Sequence, residues 1–173
     1  RQGLINPIQT IPFLLALQGD VGAPDIRAKA LKLLVVEGEK RPDSLRQRVK
    51  VGCKEAFNFQ RKAYPDKPIT AVTEKKIAGS NKIECIFGKV FVESIRSSKA
   101  NRHGLFNSLL SLFEVEMDVD SKDKKSTGRA RKLLHLQAFA AQVLATLPYT
   151  DLSDALYIVY HINARLSDAE MFA

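Results

Sequence analysis

The sequence has few of the residues that build metal centres, disulfide scaffolds or membrane spans. It holds two cysteines, Cys53 and Cys85, no CxxC pair, and three histidines that lie far apart. We therefore expect neither a zinc site nor a disulfide framework, and two free thiols with apolar neighbours are typical of a reducing compartment. No apolar run approaches the length of about 20 residues that a bilayer-spanning helix needs.

Catalytic signatures are also missing from the sequence. It contains no glycine-rich phosphate loop, no HExxH and no GxSxG. Asp118, Asp120 and Asp123 are spaced a little like a calcium loop, but the required glycine and the final glutamate are absent. His103 and His161 are most simply explained as helix residues. The sequence therefore predicts no enzyme, no metal and no cofactor.

What the chain does have is an apolar content sufficient for a core and a localised excess of positive charge. Apolar residues make up 45% of the 173 residues, and the formal net charge is +8. Residues 41–82 carry a net charge of +7, while residues 1–40, 83–114 and 115–173 carry +1, +1 and −1. A basic region of this kind indicates a polyanionic partner, such as nucleic acid or an acidic protein surface.

Apolar residues recur with helical periodicity along the chain, and we find no alternation typical of strands. An all-α fold of about seven helices in antiparallel pairs is expected, either as a bundle or as part of a solenoid. Residues 65–82 are expected to form a long loop, and residues 116–128 a mobile charged insertion. Either Asp151 or Ser153 is expected to cap the last helix. The predicted helices span residues 7–18, 24–39, 42–64, 83–98, 102–115, 129–147 and 153–166.

The most informative surface feature is the third predicted helix. At 100° per residue, Arg46, Lys50, Lys54 and Arg61 fall within a sector of about 80°, away from an apolar stripe. Such a face suits phosphate backbones, because each neutralised phosphate releases counterions, and without base-stacking aromatics the binding would not depend on sequence. An ordinary solvated face is an equally good explanation. The full candidate set for binding DNA or an acidic partner is Arg41, Arg46, Arg48, Lys50, Lys54, Arg61 and Lys62.

A second, weaker basic cluster lies further along the chain, where neighbouring aspartates partly offset its charge. It consists of Lys124, Lys125, Arg129, Arg131 and Lys132.

Two patterns resemble known proteins. Leu14-Leu15-x-Leu17, a short turn, and then Asp25-Ile26-Arg27 followed by Ala30-Leu31 resemble a HEAT repeat, in which the Asp caps the second helix and the Arg reaches a neighbouring turn. RQGLINPIQTIPFLLALQGD at 1–20, RHGLFNSLLSLFE at 102–114 and LPYTDLSDALYIVYHIN at 147–163 together resemble, in order and spacing, the C-terminal region of the Nipped-B family, the large subunit of the cohesin loader.

This resemblance implies a HEAT-like solenoid whose C-terminal part is this chain, cut from a larger protein. It implies a nuclear, non-enzymatic scaffold for sister chromatid cohesion that acts in the cell cycle and in chromosome segregation. The partners it implies are the remainder of its own chain, the cohesin kleisin and ATPase heads, and DNA. It also implies that the loader stimulates ATP hydrolysis by cohesin. Because no long apolar run is present, no membrane is expected among the partners.

Two other classes of function remain open from the sequence. A generic α-solenoid adaptor for transport or trafficking would present the same basic face to an acidic protein. An enzyme with a helical active site is disfavoured, because the sequence offers no convergent set of polar residues.

Overall fold

A computed structural model describes residues 7–77, 80–88, 90–91, 98–114, 124–147, 149 and 151–170. Six helices and a two-stranded antiparallel hairpin make up the described elements. The elements are α1 (Pro7–Ala16), a 3-10 turn (Leu17–Gly19), α2 (Pro24–Lys40), α3 (Pro42–Ala63), β1 (Val72–Ile77), β2 (Ser80–Cys85), α4 (Lys99–Leu110), α5 (Lys124–Ala145) and α6 (Leu152–Glu170). The predicted all-α class is confirmed, with the small hairpin as an addition; a HEAT-like repeat stays a prediction.

Helix starts follow local chemistry. Pro24 and Pro42 open α2 and α3, where the missing N–H costs nothing. Asp151, one of the two predicted caps, is the cap of α6, because its Oδ1 accepts the N–H of Ser153 at 2.8 Å. The backbone and hydroxyl of Ser153 hold the pKa of Asp151 below its ordinary value. Asp25 does not cap α2 as the repeat pattern predicted, since Ala23 is the cap residue and Asp25 lies in the first turn.

The core is built around α3, which packs against α1, α2, α4 and α5. The predicted apolar stripe of α3 is buried at Leu45, Val49 and Ala56, and it ends before Ala63, which is exposed at the last turn. Four phenylalanines extend this core from α3 to α5 and to the segment after β2 through ring contacts of 5.0–6.3 Å. They are Phe57, Phe87, Phe91 and Phe139.

Two glycines let α1 and its 3-10 turn approach α3 closely. A Cβ at Gly19 would lie 2.6 Å from the carbonyl oxygen of Ala56, and a Cβ at Gly52 would lie 2.3 Å from a methyl group of Leu15. Neither distance is possible between real atoms, so only glycine permits this crossing.

The predicted loop over 65–82 holds for residues 65–71, but strands follow from residue 72, and the predicted helix start at residue 83 is wrong. Val72 pairs with Cys85 and Ile77 with Ser80, so residues 72–85 form a hairpin. Its strands do not alternate cleanly between apolar and polar residues. Ile83 lies opposite Glu74 in the register, and the apolar and the acidic side chain are both exposed. Gln60, which is buried, and Gln142, which is half-buried, hold the base of the hairpin in place instead. Helical backbone is described at residues 88, 90 and 91, and residues 92–97 lie outside the described part of the chain.

Two further helices, α4 and α5, begin earlier than the sequence predicts. α4 begins at Lys99, earlier than predicted, because the hydroxyl of Ser98 accepts the N–H of Asn101 at 3.3 Å. α5 begins at Lys124, so residues 124–128 of the predicted insertion are helical. Lysine is a good helix former, which accounts for this earlier start. Residues 116–123 of that insertion lie outside the described residues.

Candidate functional site: the basic face of helix α3

The exposed side of α3 carries the candidate cations. One side of this helix is buried in the core, so its opposite side is held rigidly toward solvent. Lys54, Arg61 and Lys62 are exposed, and Lys50 is half-buried at the edge of the same face. Glu55 and Asp43 are the acidic residues exposed on α3. We call Lys50, Lys54, Arg61 and Lys62 the basic ridge.

Arg46 does not belong to this ridge, although its helical angle predicted that it would. Its guanidinium pairs with Asp43 and with the amide oxygen of Asn101 on α4, and only 22% of its side chain is exposed. The hydroxyl of Ser108 donates to the Arg46 carbonyl at 3.0 Å. Arg46 therefore ties α3 to α4, and its charge is already engaged within the fold.

Arg41 and Arg48 also lie apart from the ridge. Arg41 forms an i,i+4 ion pair with Glu37 at 2.7 Å. Arg48 is half-buried on the other flank of α3, and its Nε is buried with no hydrogen-bond acceptor among the described residues. Of the seven candidates on and beside the third helix, four thus share one accessible face.

The second basic cluster lies in the first turns of α5. Arg129, Arg131 and Lys132 are exposed. Lys124 and Lys125 lie on the helix backbone, but their side chains fall outside the description. No atom of the described residues lies within 4 Å of a Cβ built at Gly128, and Gly128 is exposed.

A buried charge cluster joins α4 to α6, and sequence reasoning missed it. Asp154 is fully buried, and its carboxylate pairs with Arg102 at 2.8 Å and with His103 at 3.2 Å. The ring of Tyr157 stacks on His103 with centroids 4.4 Å apart, and its hydroxyl donates to Asn107 at 2.7 Å. Burial raises the pKa of Tyr149 nearby, with a smaller contribution from Asp154. These bonds fix α6 on α4. The sequence feature that could have indicated this cluster is an aspartate in the first turn of an amphipathic helix.

The thiols and acidic groups offer no metal centre in the described chain. Burial raises the pKa of Cys53 well above its ordinary value and raises that of Cys85, so both thiols are protonated at neutral pH. No group of three or more His, Cys, Asp or Glu residues in the described part could hold a metal ion. None of the described helices is long and apolar enough to cross a membrane.

Comparisons with known proteins agree on one family. A family model described as the sister chromatid cohesion C-terminus, Nipped-B_C, matches residues 1–165. The chain is 28% identical to Nipped-B-like protein A of Danio rerio over 166 residues and 26% identical to Nipped-B-like protein of Homo sapiens over 169 residues. Each match covers 96% of this chain but only 6% and 5% of those relatives. No solved structure matches the chain.

Proposed function

The chain belongs to the Nipped-B C-terminal family, and we propose that it is a non-enzymatic scaffold segment of a nuclear cohesin loader. In this role its helices form a rigid surface that docks the cohesin kleisin and ATPase heads, and its basic ridge contacts DNA. Membership of a sister chromatid cohesion family supports the scaffold role. Because the chain spans about one-twentieth of the relatives, the role concerns one section of a longer machine.

The observation that carries the DNA contact is the position of the basic ridge. Lys54, Arg61 and Lys62 are exposed on the helix that forms the centre of the core, so the ridge does not depend on a loop for its shape. Lysine and arginine on a straight helix can neutralise successive phosphates and release their counterions. The ridge has no interleaved aromatic side chains, which fits binding to the phosphate backbone without reading of base edges.

The mechanism proposed is a population shift. A surface that binds both DNA and the engaged ATPase heads stabilises the state in which the two are held together. It would raise cohesin ATP hydrolysis by favouring that state, without supplying a catalytic residue.

The DNA contact is tested with a ridge variant that carries Lys50→Gln, Lys54→Gln, Arg61→Gln and Lys62→Gln. Fluorescence anisotropy with a labelled 30-base-pair duplex is measured over a series of salt concentrations. We expect weaker binding and a shallower dependence of log K on log salt, since each lost phosphate contact removes about 0.9 from the slope.

The matched control removes the same charge elsewhere, by Lys29→Gln, Lys32→Gln, Lys40→Gln and Lys99→Gln, all at exposed positions. This control is expected to keep most of the affinity and slope. Equal losses in both variants would mean that net charge alone attracts DNA, and an unchanged ridge variant would remove the DNA contact from the proposal.

The cohesin contact is tested separately by pull-down with purified cohesin. Retention of kleisin or head subunits by the wild-type chain supports the docking role, and absence of both from the bound fraction contradicts it. In a parallel pull-down from a cell extract, retention of an acidic transport or coat protein by the wild-type chain but not by the ridge variant, with no cohesin retained, would favour the adaptor function over the loader function.

A further inference from the structure

A groove whose lining includes no residue of the basic ridge lies between α2, β2 and the end of α5. Its volume is about 750 Å³. Leu31 on α2, Ile86 after β2 and Leu147 after α5 supply apolar lining, while Arg27 and Lys82 supply positive charge. Gly88 also lines the groove, and its φ of +46° turns the chain back toward Leu31. The groove is therefore assembled from elements that are distant in sequence.

The groove is lined by residues 82–86 along β2 and by Thr73 of the neighbouring strand β1. Residues 82–86 all line it, although successive side chains of a strand point to opposite faces. Thr73 and Glu84 are paired and share one face of the hairpin, whereas Ile83 belongs to the other face, so the groove covers part of the first face and passes the outer edge of β2. The described sheet consists of β1 and β2 alone, so no described strand occupies this edge.

The register fixes which backbone groups of β2 point away from β1. The N–H of Ile86 donates to the carbonyl of Ala71 at 2.9 Å, and this pair continues the register Val72–Cys85 and Thr73–Glu84. Hydrogen-bonded pairs alternate in an antiparallel ladder, so Glu84 bonds inward to β1 while the N–H and C=O of Ile83 point outward. Ile83 is also 57% exposed. An extended backbone placed here would find a donor and an acceptor ready.

Arg27 supplies the charge that selects the occupant. The Nε of this half-buried side chain is buried, and no described residue provides it with a hydrogen-bond acceptor. Burial lowers the pKa of its guanidinium, and the charge of Asp20 opposes that change only in part. The carboxylate of Asp20 is engaged by the hydroxyl of Tyr64, and no described carboxylate lies within ion-pair distance of Arg27. Lys82 already pairs with Glu84 at 3.3 Å.

We propose that this groove binds an extended acidic peptide segment of a partner protein, which adds a third strand to the edge of β2. A carboxylate of the peptide pairs with Arg27, and an alternate, apolar side chain packs between Leu31 and Leu147. The largely apolar lining and the strand edge favour a peptide over a nucleic acid, whose phosphates would need several exposed cations. The proposal rests on residues separate from the basic ridge, so it stands independently of the DNA contact.

The test uses a fluorescein-labelled peptide of four Val-Glu repeats, with four Val-Lys repeats as the charge control. Fluorescence anisotropy with the full 173-residue chain is expected to show binding of the Val-Glu peptide only. Arg27→Gln is expected to weaken that binding about tenfold or more, since it removes a charge-assisted bond. The matched control Arg61→Gln, on the ridge, is expected to leave it unchanged.

A second variant tests the backbone contact. Ile83→Pro removes an N–H that faces away from β1, a place where an edge strand tolerates proline, and is expected to abolish peptide binding while the thermal melt stays near that of wild type. A Val-Glu peptide N-methylated at alternate residues should bind no more tightly than the Val-Lys control. Failure of the Val-Glu peptide to bind at millimolar concentration overturns the proposal, as does binding that both variants retain. Displacement of the peptide by duplex DNA in wild type and in the ridge variant alike would identify the groove as a nucleic-acid site instead.

Discussion

At the scale of single residues, buried polar side chains hold the parts of this fold that hydrophobic contacts alone would leave loose. Gln60, on the buried side of α3, donates to the carbonyl of Thr70 at 2.8 Å and accepts the N–H of Thr70 at 2.9 Å. Gln142 on α5 accepts the N–H of Ala71 at 2.8 Å. Together they fasten the residues that lead into β1 to two helices of the core, and thereby place the edge of β2.

The first of these contacts can be tested by Gln60→Met, which keeps the volume but leaves both backbone groups of Thr70 without a partner. We expect the free energy of unfolding to fall by about 2 kcal/mol, because two buried hydrogen bonds are lost. Urea unfolding measures this, and amide exchange at residues 71–73 should rise more than at α1. Gln47→Met, at an exposed position on the same helix, is the control. Equal stability of the two variants would show that Gln60 does not anchor the hairpin.

The sequence predicts those residues whose partners are near in the chain. Asp151 is a correct cap because its acceptor serves Ser153, two residues away. The helical angle of Arg46 does not reveal its engagement in the fold, because its amide partner, Asn101, lies 55 residues away on another helix. Gln60 looks like an ordinary polar residue in the sequence, because its partner, Thr70, lies 10 residues away and beyond the end of α3.

At the scale of elements, long amphipathic helices are predictable and the hairpin is not. α3 has 22 residues with an apolar stripe that runs from Leu45 to Phe57, and its start at Pro42 follows from proline chemistry. The hairpin has six-residue strands with weak alternation, and a two-stranded hairpin is marginal by itself. It is stable here because Gln60 and Gln142 anchor its base, which no local pattern reveals.

The crossing of α1 and α3 makes an element-level prediction that opposes helix propensity. Gly52→Ala should stabilise an isolated helix by up to about 1 kcal/mol, but in this fold the new Cβ would lie 2.6 Å from the Cβ of Leu15. That atom is fixed to the backbone, so α1 must move, and we expect a net loss of about 1–3 kcal/mol. Thermal unfolding followed by circular dichroism measures the change.

The same substitution at Gly128 is the matched control. Gly128 lies in α5 with nothing within 4 Å of its built Cβ, so Gly128→Ala should be neutral or stabilising by up to about 1 kcal/mol. If Gly52→Ala also stabilised the protein, the result would contradict the short distance between α1 and α3 at Gly52 and Leu15.

At the scale of the whole molecule, the fold class and the location of the charge follow from the sequence, while the groove does not. Helical periodicity is a local property, and the net charge of +7 over residues 41–82 can be read directly from the chain. The groove combines Arg27, Ile83 and Leu147, which no sequence spacing relates to one another. Tertiary packing alone brings them together.

The central position of α3 implies that the molecule unfolds as a unit around it. Val49 is fully buried in the middle of this helix, whereas Val51, two residues on, is 42% exposed. Val49→Ala should lower the free energy of unfolding by about 2 kcal/mol, while Val51→Ala should change it by less than about 0.5 kcal/mol.

Native-state hydrogen exchange distinguishes a shared core from a local effect. Because α3 packs against α1, α2, α4 and α5, the loss at Val49 should reduce protection by a similar factor in the slowest amides of all four helices. Reduced protection in α3 and α1 alone would mean that the helices open independently, as they do in a chain of weakly coupled repeats. The basic ridge would then lack the rigid support on which its proposed DNA contact depends.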